Sequence, residues 1–329
     1  MKPRQLLKCF GMLTISLAAC HAIAADFPEK GKRINLLVPY GAGGQVDMMA
    51  RAIAPVWDKK WGTQTIVLNK TGASGQIALS ELLRQPNDGY TIAFTQGFDT
   101  QMTYLSTEAS APYSRSNLIP VAMVQHTPAV WIVKSDSPYQ SMKDVLEAAK
   151  ANPEKVNFGS PSSRGPAAVY VENIQNKFGA KFNHAPFTDG PSMMNGLMGG
   201  HIDLGLINVT IALPFLNSGK IRAVMVSGDK PLKFLPGVPT SQSVGVDVTS
   251  FGSTTGLTLA AGTAPAIVSK WSAMIKEVID DQDLRQKMDA MALNLEYLTP
   301  EQYSDFWTKA EVEVTKYLMK VNGKVRPIK

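Results

Sequence analysis

Gly41-Ala42-Gly43-Gly44-Gln45 is the first stretch of the chain whose residue types could hold a ligand. It falls between an apolar run, residues 34–39, and a segment where Met49, Ile53, Val56 and Trp57 recur at helical spacing. A glycine-rich turn at a helix start leaves backbone N–H groups free, and glycine lets an anion approach them closely. Tyr40, Gly43, Gly44 and Gln45 are therefore candidate ligand contacts, although the same residues would also serve a tight turn that holds nothing. Asp47 is a candidate either for contact or for support of the helix start. Comparable loops follow other predicted strands: residues 72–76 with Ser74, 95–98 with Thr95 and Gln96, and 160–165 with Ser160, Ser162, Ser163, Arg164 and Gly165. In open α/β sheets ligands sit at the carboxyl ends of strands. Short neutral donors suit carboxylate oxygens that must later be released, and an arginine among them adds a stronger, bidentate contact. A solvent-facing loop arginine is the other reading of Arg164.

Other chemistries find little support. A dinucleotide loop needs glycine where this chain has Val46, and no acid is well placed after a second strand. There is no G-x-S-x-G elbow and no phosphate-binding G-x-x-x-x-G-K-[ST] loop. Beyond the first residues the histidines are His126, His184 and His201, without the spacing of a metal pair. The sequence therefore predicts no cofactor, no metal and no catalysis.

The elements that must position these loops alternate. Strands are predicted at 34–39, 66–68 and 90–94, with helices at 49–57 and 77–83 between them; Pro55 should bend or shorten the first helix. The pattern repeats with strands at 129–133, 156–160, 202–207 and 221–226 and helices at 141–150 and 167–178. The last third is predicted helical at 266–279, 282–292 and 300–319. Such alternation predicts an α/β fold of two lobes with a ligand cleft between them. A chain of 329 residues, 44% hydrophobic, has the material for two cores.

The N-terminus is an export address. Lys2, Arg4 and Lys8 precede a short apolar stretch, too short to span a bilayer. Ala22-Ile23-Ala24 offers a cleavage site, which makes residues 1–24 a signal peptide and predicts a periplasmic protein. Leu17-Ala18-Ala19-Cys20 competes as a lipidation site that would anchor the protein through Cys20. Both cysteines, Cys9 and Cys20, lie in this leader, so no disulfide supports the rest. Without the leader's three cations the net charge falls from +6 to +3, with no basic cluster, which argues against a nucleic-acid partner. Nothing signals oligomer formation, and a monomer is expected.

A series of short motifs then resembles a known family. In order they are FPEK at 27–30, LLVPYGAGGQVDMMAR at 36–51, residues 69–75, PNDGYT at 86–91 and NFGS at 157–160. GGHIDL at 199–204, GKIRA at 219–223, LPGVPT at 235–240 and LAAGTAP at 259–265 follow. The series resembles the solute receptors of tripartite tricarboxylate transporters, the Bug or TctC family. The resemblance implies a type II periplasmic-binding-protein fold, with one lobe at roughly 25–122 plus 246–329 and the other at 123–245. It implies hinge closure on a small carboxylate and delivery to the transporter's membrane subunits.

The second lobe departs from the family pattern. Ile207, followed by Asn208, stands where many members carry an aspartate, Arg164 where a glycine is usual, and Thr188-Asp189 where a lysine–glycine pair is usual. Thr188 and Asn208 join the candidate contacts. Loss of an acid disfavours an ammonium group, and Arg164 could clamp a second carboxylate. An aromatic dicarboxylate of the terephthalate type is the expected ligand; a ligand-presenting sensory role and an α/β enzyme are the alternatives.

Overall fold

The computed structural model describes residues 27–328, apart from 110, 162–165, 233–234, 247–251 and 292. The predicted leader, with Cys20, lies outside the described residues, as do Ser162, Ser163, Arg164 and Gly165.

The chain begins with β1 (Arg33–Val38), α1 (Gln45–Trp61), β2 (Gln64–Asn69), α2 (Gln76–Leu82), β3 (Thr91–Gln96) and α3 (Gly97–Leu105). A long strand, β4 (Leu118–Lys134), leads to α4 (Met142–Ala151), β5 (Val156–Ser160), α5 (Pro166–Phe178), β6 (Phe182–Pro186) and α6 (Gly190–Met198). Next come β7 (Leu204–Asn208), α7 (Val209–Asn217) and β8 (Ile221–Val226). The chain closes with β9 (Gly252–Ala260), α8 (Pro265–Ile279), α9 (Gln282–Ala290), β10 (Leu295–Leu298) and α10 (Pro300–Asn322).

Local sequence explains these elements. β1 reads as a nearly continuous apolar run because helices cover both faces of its sheet, and Ile34, Leu36, Leu37 and Val38 are buried. The α1 stripe of Met49, Ile53 and Trp57 is likewise buried, with Trp57 edge-on to Trp271 of α8 at 5.1 Å. α1 continues through Pro55 to Trp61, so the proline does not shorten the helix predicted over 49–57. α4 starts at a capping box, with the Ser141 hydroxyl and Asp144 carboxylate each accepting the other's backbone N–H.

Two sheets share one strand. In the first, β1 pairs in parallel with β2 and β3, and β9 runs antiparallel between β3 and β4. In the second, β5 pairs in parallel with β6 and β7, while β4 runs antiparallel to β7 and β8. β4 joins them: its residues up to Pro128 pair with β9, and from Ala129 onward it pairs with β7. This gives the two-lobed α/β fold expected from the sequence. One apolar core runs through both lobes, from Phe98, Tyr104 and Trp307 to Trp131, Phe158 and Tyr170. It is continuous because α10, at the end of the chain, packs on α3 and also reaches α5, where the Asn173 amide donates to Glu313 at 2.7 Å.

Candidate ligand-binding site

The first lobe presents the ends of β1, β2 and β3 side by side. After β1 the chain turns through residues 40–44, and Asp47 in the first turn of α1 holds that turn in place. Its Oδ2 accepts the Gly43 N–H at 2.8 Å and the Arg51 Nε–H at 3.0 Å, and its Oδ1 accepts the Asn69 amide at 2.9 Å. The same Asn69 amide reaches the Tyr40 carbonyl at 3.0 Å. The Arg51 guanidinium above all, with the Gly43 and Asn69 donors, holds the Asp47 carboxyl down to about 2 although burial works the other way. Asp47 is thus engaged within the lobe, as is the Gly43 N–H. Gly41, Ala42 and Gly44 remain exposed, and Gln45 keeps an unpartnered amide nitrogen.

The second loop lies against the first, because a Cβ on Gly75 would sit 3.3 Å from Pro39. Ala73 and Ser74 adopt left-handed backbone (φ 47° and 52°), which is strained for residues with a side chain, and Ser74 is exposed. The third loop is shorter than the sequence suggested. Gly97 and Phe98 already belong to α3, which begins directly where β3 ends. Gly97 is required there, since a Cβ would meet Thr254 Oγ1 of β9 at 2.4 Å.

Between the lobes lies a cavity of about 240 Å³. Phe98 of α3 lines one side, and Tyr170 of α5 with Leu206 and Ile207 of β7 lines the other. The polar lining comes chiefly from Gln96, Asp99, Asn208 and Thr254. Asn208 caps α7: its Oδ1 accepts the Thr210 N–H at 3.1 Å. That bond uses the acceptor of its amide and leaves the Nδ2 donor out of the cap.

Of the residues singled out from sequence, Gln96, Ile207 and Asn208 line this cavity directly, as do Gly97 and Phe98 of the stretch 95–98. Tyr40 stands one step away, its hydroxyl donating to Asp99 Oδ2 at 3.5 Å. Burial pushes the Tyr40 hydroxyl well above the usual tyrosine range, so it stays a donor. Thr95 is buried, with its hydroxyl at the Gly256 carbonyl (3.3 Å) and Tyr303 Oη (3.2 Å). Ser160 is buried too, with Oγ 2.8 Å from His184 Nε2 across the β5–β6 pair. Thr188 is exposed next to Asp189, which caps α6.

Sequence reasoning did not single out Asp99, Tyr170 and Thr254. Asp99 follows directly on the stretch 95–98 that was singled out, so its signal was present: an acid beside a strand-end loop. Its carboxyl is pushed upward, chiefly by burial and against the Tyr40 hydrogen bond. It also revises one expectation. The acid missing at Ile207 is not missing from the cleft, since Asp99 supplies one from the opposite lobe.

The family model for the tripartite tricarboxylate transporter family receptor, TctC, matches residues 49–323. The chain belongs to this family. Among relatives of this TctC receptor, the UPF0065 protein in the gbd 5′ region of Cupriavidus necator is 29% identical over 294 residues, covering 89% of this chain and 88% of that protein. Protein BugT of Bordetella pertussis is 27% identical over 310 residues, 93% of this chain and 94% of its own length. Among solved structures, a ligand-free TctC solute-binding protein from Polaromonas superposes with a TM-score of 0.81 at 27% identity, over 90% of this chain and all of the other. R. palustris Rpa4515 with adipate shares the fold at a TM-score of 0.66 and 22% identity, over 91% of this chain and 99% of that one. The family is one of transporter receptors and the Polaromonas neighbour is a solute-binding protein; no helix among the described residues is long and apolar enough to cross a membrane.

Proposed function

We propose that this TctC receptor captures a small carboxylate with an apolar body in the cleft and delivers it, unreacted, to the membrane subunits of a tripartite tricarboxylate-type transporter. The observation that carries this reading is the cavity between the lobes, with Phe98, Tyr170, Leu206 and Ile207 as walls and Gln96, Asn208 and Thr254 as neutral polar groups. Apolar walls of this size favour an aromatic or branched body over a short hydroxy acid. The aromatic body of a terephthalate-type acid fits that requirement. The loops at 40–45 and 73–75, linked to the cavity through Tyr40 and Asp99, would complete the carboxylate contacts as the lobes close. The lobes divide at 25–122 plus 246–329 and 123–245 in this reading, with β4 as one of the crossings. Export through the leader at 1–24 puts the receptor outside the cytoplasmic membrane as a monomer.

A thermal-shift screen of terephthalate, benzoate, adipate, malate, leucine and phenylalanine against the purified protein tests the proposal. A ligand held far above its dissociation constant stabilises the folded state by about 3–4 kcal/mol. A clear rise in melting temperature with an aromatic acid supports the reading. A rise with malate alone refutes the apolar-bodied ligand, and no rise with any carboxylate refutes the receptor assignment.

A further inference from the structure

Asp99 is an acid on the wall of a cavity where an anion is expected. We propose that Asp99 reads a cationic ammonium on the ligand, so that the cleft takes a zwitterionic amino carboxylate with an apolar body. This rests on the carboxylate-receptor reading above and adds the ligand's second polar group.

The geometry carries the argument. Asp99 is the one charged side chain on the cavity wall among the described residues. Among the described residues the rest of the lining is apolar or neutral, so none of them places a lysine or arginine against it. One oxygen, Oδ2, takes the Tyr40 hydroxyl at 3.5 Å. Asp99 also sits in the first turn of α3, whose dipole favours an anion. Both features support the carboxylate form, while burial opposes it. A carboxylate drawn out of water without a cation is costly, and a ligand that brings an ammonium removes that cost. A ligand that brought a second carboxylate to this wall would instead place two like charges together.

Among the described residues, the groups around Asp99 do not supply the missing charge. Tyr113 and Tyr303 lie near Tyr40 and stay neutral through burial. Across the cleft Tyr170 is neutral for the same reason. On α10, packed behind α3, Glu311 already holds the Tyr104 hydroxyl and pairs with Arg115 at 3.6 Å. Phe98 and Tyr170 line the same cavity, and aromatic faces of this kind favour a cation and disfavour an anion.

Matched ligand pairs test the proposal, because each pair shares a carboxylate and a body and differs only in the ammonium. The probes are leucine against 4-methylpentanoate and phenylalanine against 3-phenylpropanoate, measured by calorimetry at neutral pH with wild type and Asp99→Asn. The unliganded melting temperature of the variant reports its fold. The expected result is at least tenfold tighter binding of the amino acid of a pair in wild type, with that preference abolished in D99N and the deaminated acid little affected. The inference is overturned if wild type binds the deaminated acids as tightly as the amino acids, or if D99N weakens both members of a pair equally. It is also overturned if terephthalate or adipate binds and neither amino acid does, an outcome that leaves the receptor reading standing. Absence of binding by every carboxylate would overturn the receptor reading itself.

Discussion

The Asp47 carboxylate accepts the Gly43 backbone N–H at 2.8 Å, so a residue inside helix α1 fixes the turn that precedes the helix. Arg51 and Asn69 bind the same carboxylate from the next helical turn and from the end of β2, which ties three elements to one side chain. Asp47→Ala removes all of these bonds and leaves Asn69 without its carboxylate partner. Charge-assisted bonds of this kind are worth roughly 1.5–3 kcal/mol. The expected outcome is a stability loss of about 2 kcal/mol in urea unfolding, together with at least a tenfold loss of ligand affinity as residues 40–44 lose their shape. A variant of wild-type stability and affinity would show that the turn holds itself.

The same site predicts a pH dependence. The Asp47 carboxyl titrates near 2 in the folded protein, below its unperturbed 3.8. A depressed acid contributes stability that is fully present above the unfolded value and is lost as pH falls through the folded one. Wild type should therefore lose more stability than Asp47→Asn between about pH 4 and pH 2. Urea midpoints measured across that range check it, and parallel curves for the two proteins would remove Asp47 as the cause.

Much of this architecture was legible because its strands are short apolar runs between glycine turns. β1, β5 and β8 were read from that pattern, and the α4 start was read from Ser141 and Asp144. The first half of β4 was not, because Pro120 interrupts it and the pairing with β9 shifts register there. β9 itself, GSTTGLTLA, is rich in threonine and glycine and has no apolar alternation; its buried Thr254, Thr255 and Thr258 are visible as core only once neighbours surround them. In the site, glycine and serine loops were legible as small polar segments, but not which of their hydroxyls would turn inward. Thr95 and Ser160 share their hydroxyls with Tyr303 and His184, partners 208 and 24 residues away along the chain. Asp99 was missed for the opposite reason: its neighbours looked like loop, whereas the helix starts at Gly97 and carries Asp99 to the cavity.

Gly97 gives a test of how tightly the cleft floor is built. An added methyl group would stand 2.4 Å from Thr254 Oγ1 and 3.2 Å from Phe306. Gly97→Ala should cost about 1–3 kcal/mol, the range for overpacking a dense site. Combining it with Thr254→Ala removes the nearest clashing atom, so the double variant should be more stable than the two single losses sum to. Additive losses would mean that the backbone of α3, and not the Thr254 side chain, resists the methyl group.

Asn208 separates stability from binding, because the two ends of its amide face different tasks. Oδ1 caps α7 by accepting from Thr210, while Nδ2, the amide's donor, is not used in the cap of this cavity-lining residue. Asn208→Ala loses both, at a cost of about 1 kcal/mol for the cap. Asn208→Asp keeps an acceptor for Thr210, and its charge at a helix N-terminus is favourable. It also exchanges the donor for a negative charge where the ligand carboxylate is expected. N208D should therefore unfold at the wild-type urea midpoint or above it and bind carboxylates at least tenfold more weakly. N208A should be less stable than N208D and yet bind better, since it removes the donor without adding repulsion. The reverse order of affinities would place the ligand carboxylate away from Asn208 and toward the loops of the first lobe.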